Sequence, residues 1–256
     1  TRSRGLGDVY KRQALGAPWH PHRGFETVTY LLDGRMRHED SAGNTGELNP
    51  GDVQWMTAGR GIIHCEEPHE DFLRSGGRSH GFQIWVNLPS SHKMMEPRYQ
   101  EVPSSESPVV EKDGIWARVI AGECMGVTSS IDTVIPITLI HVKMNADTRL
   151  VQDFERQLNG MIYVFGGKIN LENKTQVKMS PIAHGITSSQ QVRDGDLAIL
   201  SDGTQAEIYS EKGAEFLILA GPELNEPIER YGPFVMNTKE EINQAFLDYR
   251  SGNFAK

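Results

Sequence analysis

Turn chemistry recurs at short intervals through the first part of this chain and limits what lies between. Asp33-Gly34 follows Tyr30-Leu31-Leu32, the stretch from Ser41 to Gly46 is small and polar, Asn49-Pro50-Gly51-Asp52 is a tight turn, and Ala58-Gly59-Arg60-Gly61 is a further break. Proline pre-sets one backbone angle, and glycine takes conformations closed to other residues. The intervening runs Val53–Met56, Ile62–Glu66 and Phe82–Leu88 favour β-structure. Asp33-Gly34 predicts a hairpin. Many short strands with regular turns predict an all-β barrel or sandwich.

The chemistry starts at His20-Pro21-His22-Arg23-Gly24-Phe25-Glu26, which runs on to Leu32. Read as one strand, it puts His20, His22 and Glu26 on one face, followed by Val28, Tyr30 and Leu32, because strand side chains alternate. Thr27 and Thr29 then point the other way. Two imidazoles and a carboxylate leading into an apolar wall suit a metal site at one end of a small barrel. Alone the pair is weak, since two surface histidines beside a turn look the same. Ile63-His64-Cys65-Glu66 strengthens it. On a strand His64 and Glu66 share a face and Cys65 turns away. Three imidazoles and a carboxylate suit Fe, Mn, Cu, Ni or Zn. Glu26 and Glu66 compete for the fourth place, and spacing does not choose between them. Gln83 and Trp85 share a parity opposite to that of Phe82, Ile84 and Val86. Either set could line the barrel, and core packing is the plainer expectation for Trp85.

The second half offers strands at Ile115–Ile120, Thr138–Lys143, Met161–Phe165, Lys168–Leu171, Leu197–Leu200 and Phe216–Ala220. Tyr163-Val164-Phe165-Gly166-Gly167 echoes Tyr30 to Gly34, and Asp194-Gly195-Asp196-Leu197 echoes Pro50 to Val53, which suggests a duplicated barrel. Asp153 and Glu155 stand roughly where His20 and His22 would recur, with Ile208 near the place of His64, so no second metal centre is expected. His141 and His184 read as lone core or surface histidines. Near the end, Thr238-Lys239-Glu240-Glu241 has the form of a capping box, and Ile242, Ala245, Phe246 and Tyr249 make one apolar stripe. These predict a helix over 238–250 packed on a barrel.

With 26 Lys and Arg against 34 Asp and Glu, the chain carries a net charge of −8 and shows no nucleic-acid footprint. Cys65 and Cys124 form neither a disulfide framework nor a paired-cysteine metal motif, a usage that fits a reducing compartment. No apolar run is long enough to span a bilayer as a helix. Residues 1–13 lack hydrophobic periodicity, and Ser3 to Gln13 back-translate codon for codon to a transposase adapter used in sequencing libraries. They are expected to be a cloning or assembly scar. Without their four cations and one anion the charge becomes −11.

The segment from His20 to Leu32 resembles the signature of the pirin family, within the cupin superfamily. So do His38-Glu39-Asp40-Ser41, the run from Asn49 to His64, and Gly232-Pro233-Phe234-Val235-Met236-Asn237-Thr238. The resemblance covers nearly everything from Ala14 to Phe254. It implies a bicupin: two tandem jelly-roll β-barrels with a short C-terminal α-helix. Residues 14–102 would form the metal-bearing barrel, lacking its first strands, and 103–114 a linker. Residues 115–232 would form the second barrel, and 233–256 the helix and tail. The resemblance also implies one metal, Fe2+ first among the candidates, on His20, His22, His64 and Glu66, with Glu26 beside them, and strand parity adds Gln83 as a pocket candidate. It implies either a quercetin 2,3-dioxygenase acting on a flavonol and O2, with Glu66 as the base, or a redox-sensing iron protein working through protein partners. A structural cupin with a vestigial metal is the third reading. A monomer in the cytoplasm is expected, or in the nucleus for a eukaryotic source.

Overall fold

The computed structural model describes residues 16–172 and 191–255, with the backbone alone of Asp8–Val9 and Val177–Lys178. The chain forms two compact units, one of Thr1–Glu106 with Leu224–Lys256 and one of Ser107–Glu223.

The first unit contains two four-stranded antiparallel sheets. One has the order Arg98–Val102, Val53–Thr57, Phe25–Asp33, His80–Asn87. The other has the order Ala17–His22, Ile62–Pro68, Met36–Asp40, Thr45–Leu48. Side chains of the two sheets meet between them, as where Thr29 of one donates to Glu66 of the other. This is an all-β wall of the kind that the turn spacing predicted, in the jelly-roll arrangement that the resemblance implied.

The strong turn signals mark crossings between the sheets rather than hairpins. Asp33-Gly34 is the clearest correction. Gly34 does take a positive φ of 98°, but Phe25–Asp33 and Met36–Asp40 lie in different sheets and do not pair. Asn49 to Asp52 is a second crossing, tied down by the Gly51 N–H donating to Leu31 O at 2.7 Å. The hairpin falls instead at the polar loop after Asp40, where Met36–Asp40 pairs with Thr45–Leu48.

Gly24 is the crossing that matters most. The expected single strand from His20 to Leu32 is two strands, Ala17–His22 and Phe25–Asp33, in different sheets. Gly24 has φ 86°, and a Cβ there would lie 2.1 Å from Val235 O. Only glycine tolerates that conformation and approach. Alternation therefore restarts at Phe25.

The second unit winds one ten-stranded antiparallel sheet around an apolar core that includes Val119, Ile140, Ile162, Leu171, Ile208 and Phe216. The two strands expected at Met161–Phe165 and Lys168–Leu171 are one, Leu158–Glu172, with a bulge between Val164 and Gly166. Ile208 points into the core, while Asp153 accepts from Gln205 at the surface. His141 is buried and bonds Glu215 at 2.9 Å, and His184 lies outside the described residues.

Two boundaries differ from the expected ones. Residues 103–114 contain the strand Val109–Lys112, which turns through Asp113-Gly114 to pair with Ile115–Ala121. Residues 224–232, expected with the second barrel, belong to the first unit: Glu226 accepts from the Ser90 N–H at 2.7 Å and the Ser90 hydroxyl at 2.9 Å. Of residues 1–13 only the backbone of Asp8–Val9 is described, paired with Gly77–Arg78. The remainder of the expected scar lies outside the described residues.

The C-terminal helix spans Lys239–Ser251 behind the predicted capping box: Thr238 Oγ1 accepts from the Glu241 N–H, and Glu241 accepts from the Thr238 N–H. Its buried Ile242 and Ala245 pack with Phe234, Met236 and Phe254. No helix among the described residues is long and apolar enough to cross a membrane.

Candidate metal centre

Ala17–His22 runs antiparallel to Ile62–Pro68 in a register that sets His20 directly opposite His64. Their ring centroids are 4.4 Å apart. His22, two residues along the same face, lies 4.7 Å from His20 and 5.0 Å from His64. A ligand atom from each of the three comes within 4.8 Å of the others. That is the convergence expected around one shared cation.

Hydrogen bonds select the nitrogens. The Nδ1–H of His20 donates to Pro18 O at 2.7 Å, and that of His22 to Pro233 O at 3.4 Å. Each leaves Nε2 with its lone pair, the arrangement by which outer groups orient metal-binding imidazoles. Nε2 of His22 and both ring nitrogens of His64 are buried without a hydrogen-bond partner among the described residues. Stranding a buried polar atom costs about 1–3 kcal/mol. A divalent cation satisfies such nitrogens, so the donor set fits one.

Burial, reinforced by the neighbouring imidazoles, pushes the pKa of His22 and of His64 down to about 3. Both are neutral at pH 7, as metal binding requires. The metal-free protein should therefore lose stability in acid. The unfolded chain takes up these protons near pH 6.5, whereas the folded chain resists them until about pH 3. Stability is then complete above pH 6.5 and falls as pH drops toward 3, by roughly 1 kcal/mol per pH unit or more. Urea unfolding of metal-free protein at pH 7.5, 6 and 5 measures this, and a flat profile would count against it.

Glu66 lies on the same strand face as His64 but outside the group of mutually close ligand atoms. Its Oε1 accepts from Thr29 Oγ1 at 3.0 Å, and its Oε2 from Gln83 Nε2 at 2.6 Å. Its charge partly opposes the fall in the His22 pKa. The carboxylate is thus held from two sides next to the triad.

Gln83 and Trp85 are the members of their strand that face this site. Trp85 packs at 4.3 Å on Phe25 and meets His22 edge-on at 5.5 Å. Trp85 is 37% exposed, which corrects its expected place in the core and makes it part of an open wall. Glu26 requires the opposite correction. Its cross-strand neighbours are Thr57 and Val86, while those of Gln83 and Trp85 are Thr29 and Thr27. It therefore sits on the far face of its sheet, where Thr57 Oγ1 donates to it at 2.7 Å. The turn at Gly24 explains both the displacement of Glu26 and the entry of Thr29.

Sequence reading also missed Pro233, whose carbonyl orients His22 from more than two hundred residues away. Only the signature around Gly232-Pro233-Phe234 hinted at it. A further buried group lies across the ladder: His38, paired with Glu66 in register, donates from Nε2 to Glu101 at 2.6 Å.

The Pirin family pattern matches residues 5–86, and the Pirin C-terminal cupin domain matches residues 139–255. Pirin from Homo sapiens is 41% identical over 92% of this chain and 77% of its own length. A crystal structure of quercetin 2,3-dioxygenase from Acinetobacter baumannii is 34% identical and superposes with a TM-score of 0.86, over 98% of this chain and 83% of that one. A bacterial pirin from Escherichia coli, solved in complex with nickel(II), shares the fold at 20% identity and a TM-score of 0.60, over 81% and 76% of the two chains. The histidine cluster, the jelly-roll sheets and these matches along the chain agree: the protein belongs to the pirin family.

Proposed function

We propose that this protein is an iron-dependent ring-cleaving dioxygenase of the quercetin 2,3-dioxygenase type. Its reaction opens the central ring of a flavonol with O2 and releases carbon monoxide. The observation that carries the reading is a carboxylate held by two donors beside three converging, neutral imidazoles. The likeness to the Acinetobacter baumannii enzyme supports it. His20, His22 and His64 would hold Fe2+, with Glu66 as fourth ligand. When bound, the metal supplies a template for the two reactants and a path for electrons between them.

The chain's own residues do the rest. Glu66 takes the proton from the flavonol 3-hydroxyl, general-base work that needs an ionised carboxylate aimed at the substrate. Thr29 and Gln83 each donate one hydrogen bond to Glu66 and keep it oriented. Trp85 offers the flat substrate a ring to lie against, and its contact with His22 sets that ring near the triad.

The test is quercetin turnover by iron-loaded protein, followed as O2 consumption and carbon monoxide release. Wild type should turn over, and Glu66→Gln should lower kcat by about 100-fold or more while quercetin still binds. Stoichiometric iron with no turnover would reject the enzyme and favour the regulator that acts through partners.

A further inference from the structure

One cation a single aromatic ring away from the triad makes no hydrogen bond or ion pair among the described residues. Three cations stand on segments that meet His22 and its neighbours: Arg23, Lys93 and Arg230. Arg23 spends its donors on Arg60 O, on Asp248 at 2.6 Å and on Phe254 O at 3.4 Å. Lys93 is 1% exposed, and its ammonium donates to Gly24 O, Asn87 Oδ1 and Val235 O at 2.6 to 2.9 Å. Arg230 differs from both. It is exposed, and its guanidinium carbon lies 4.9 Å from the centre of the Trp85 ring. Among the described residues that guanidinium has no hydrogen bond and no ion pair.

The same hairpin explains why it stands there. Glu229–Tyr231 pairs with Phe234–Met236, and the turn between them carries Pro233, the carbonyl that orients His22. One short element thus fixes a metal-facing imidazole and presents a cation to the ring next to it. Trp85 touches His22 on one side and Arg230 on another. A guanidinium on an indole face is favourable in itself, by about 0.5–1 kcal/mol at an exposed site. Stacking also leaves the planar fork of N–H donors free for an oxygen anion.

We propose that Arg230 and Trp85 form a specificity pair that selects an anionic aromatic ligand for the triad, with the ring against Trp85 and the negative oxygen on Arg230. The chain's net charge of −8 disfavours anions at long range. A local guanidinium is therefore what would admit one. The proposal takes its site from the dioxygenase reading and adds the charge of the substrate.

Equilibrium binding to metal-loaded protein tests it without turnover, using 2-naphthoate and its neutral isostere 2-naphthamide, read by calorimetry and tryptophan fluorescence. Wild type should prefer naphthoate. Arg230→Gln should weaken naphthoate about 5–10-fold, as fits one exposed charge-assisted contact, and leave naphthamide within about 2-fold. Arg230→Lys should restore part of the loss, and Trp85→Leu should weaken both probes. Equal effects of Arg230→Gln on the two probes, or none on naphthoate, would overturn the proposal. Naphthoate selectivity with no flavonol turnover would reject the dioxygenase and leave the pair standing.

Discussion

Alanine in place of His22 should abolish stoichiometric metal binding and leave the fold intact. The triad is three imidazoles on two facing strands, and His22 contributes a buried Nε2 with no other partner among the described residues. Loss of a group that merely orients a ligand costs 10–100-fold in affinity, so loss of the ligand should cost more than about 100-fold. The fold does not depend on this ring for a hydrogen-bond network, since its one bond among the described residues is a long one to Pro233 O. Titration with Fe2+ or Ni2+ under anaerobic conditions reads the affinity. Thermal unfolding gives a second reading: a cation at 100 times its Kd stabilises wild type by about 2.7 kcal/mol, and the variant should show no such gain. Exposed His92 is the control, and His92→Ala should bind as wild type does. Undiminished binding by His22→Ala would place the metal elsewhere.

Gly24→Ala should be among the most damaging small substitutions in the metal-bearing unit. Two penalties combine there. A positive φ of 86° costs an alanine about 1–2 kcal/mol. The added methyl would also lie 2.1 Å from Val235 O and 2.8 Å from Met236 Sδ. The carbonyl cannot retreat freely, because Lys93 donates to it at 2.9 Å and the Val235 N–H is bonded to Arg23 O at 3.1 Å. Urea unfolding should show a loss of about 3 kcal/mol or more. Metal affinity should fall with it, because the same hairpin holds Pro233 against His22. Gly43 separates the two penalties: its φ is 87° but an added Cβ would meet nothing within 4 Å, so Gly43→Ala should cost only the conformational part, about 1–2 kcal/mol. Equal losses at both glycines would mean that the Val235 contact carries no weight.

The same glycine marks where the sequence stopped being readable. Val53–Met56, Ile62–Glu66 and Phe82–Leu88 were visible as β-favouring runs between turn residues, and the capping box at Thr238 gave the helix start, but the polar strands Met36–Asp40, Thr45–Leu48 and Arg98–Val102 carried no such signal. The triad was visible too, because His20 and His22 share a strand, and His64 shares its own with Glu66. Alternation is a local rule, however, and it holds only as long as one strand lasts. At Gly24 the chain leaves one sheet for the other, so Glu26 fell on the wrong face and Thr29 was passed over. Asp33-Gly34 misled in the same way, since a glycine at positive φ serves a crossing as well as a hairpin. Pro233 and Arg230 reach the site from a distant hairpin, through contacts with no local pattern. Trp85 shows the remaining gap: periodicity gives the face of a residue, but only the assembled sheets show whether that face is open.

We expect His20, His22 and His64 together to hold one metal ion. Anomalous diffraction from crystals of the metal-loaded protein tests it most directly. One cation per chain is predicted, about 2.1 Å from a ring nitrogen of each of the three histidines. A cation seated on other groups, or none after anaerobic loading, would contradict the account.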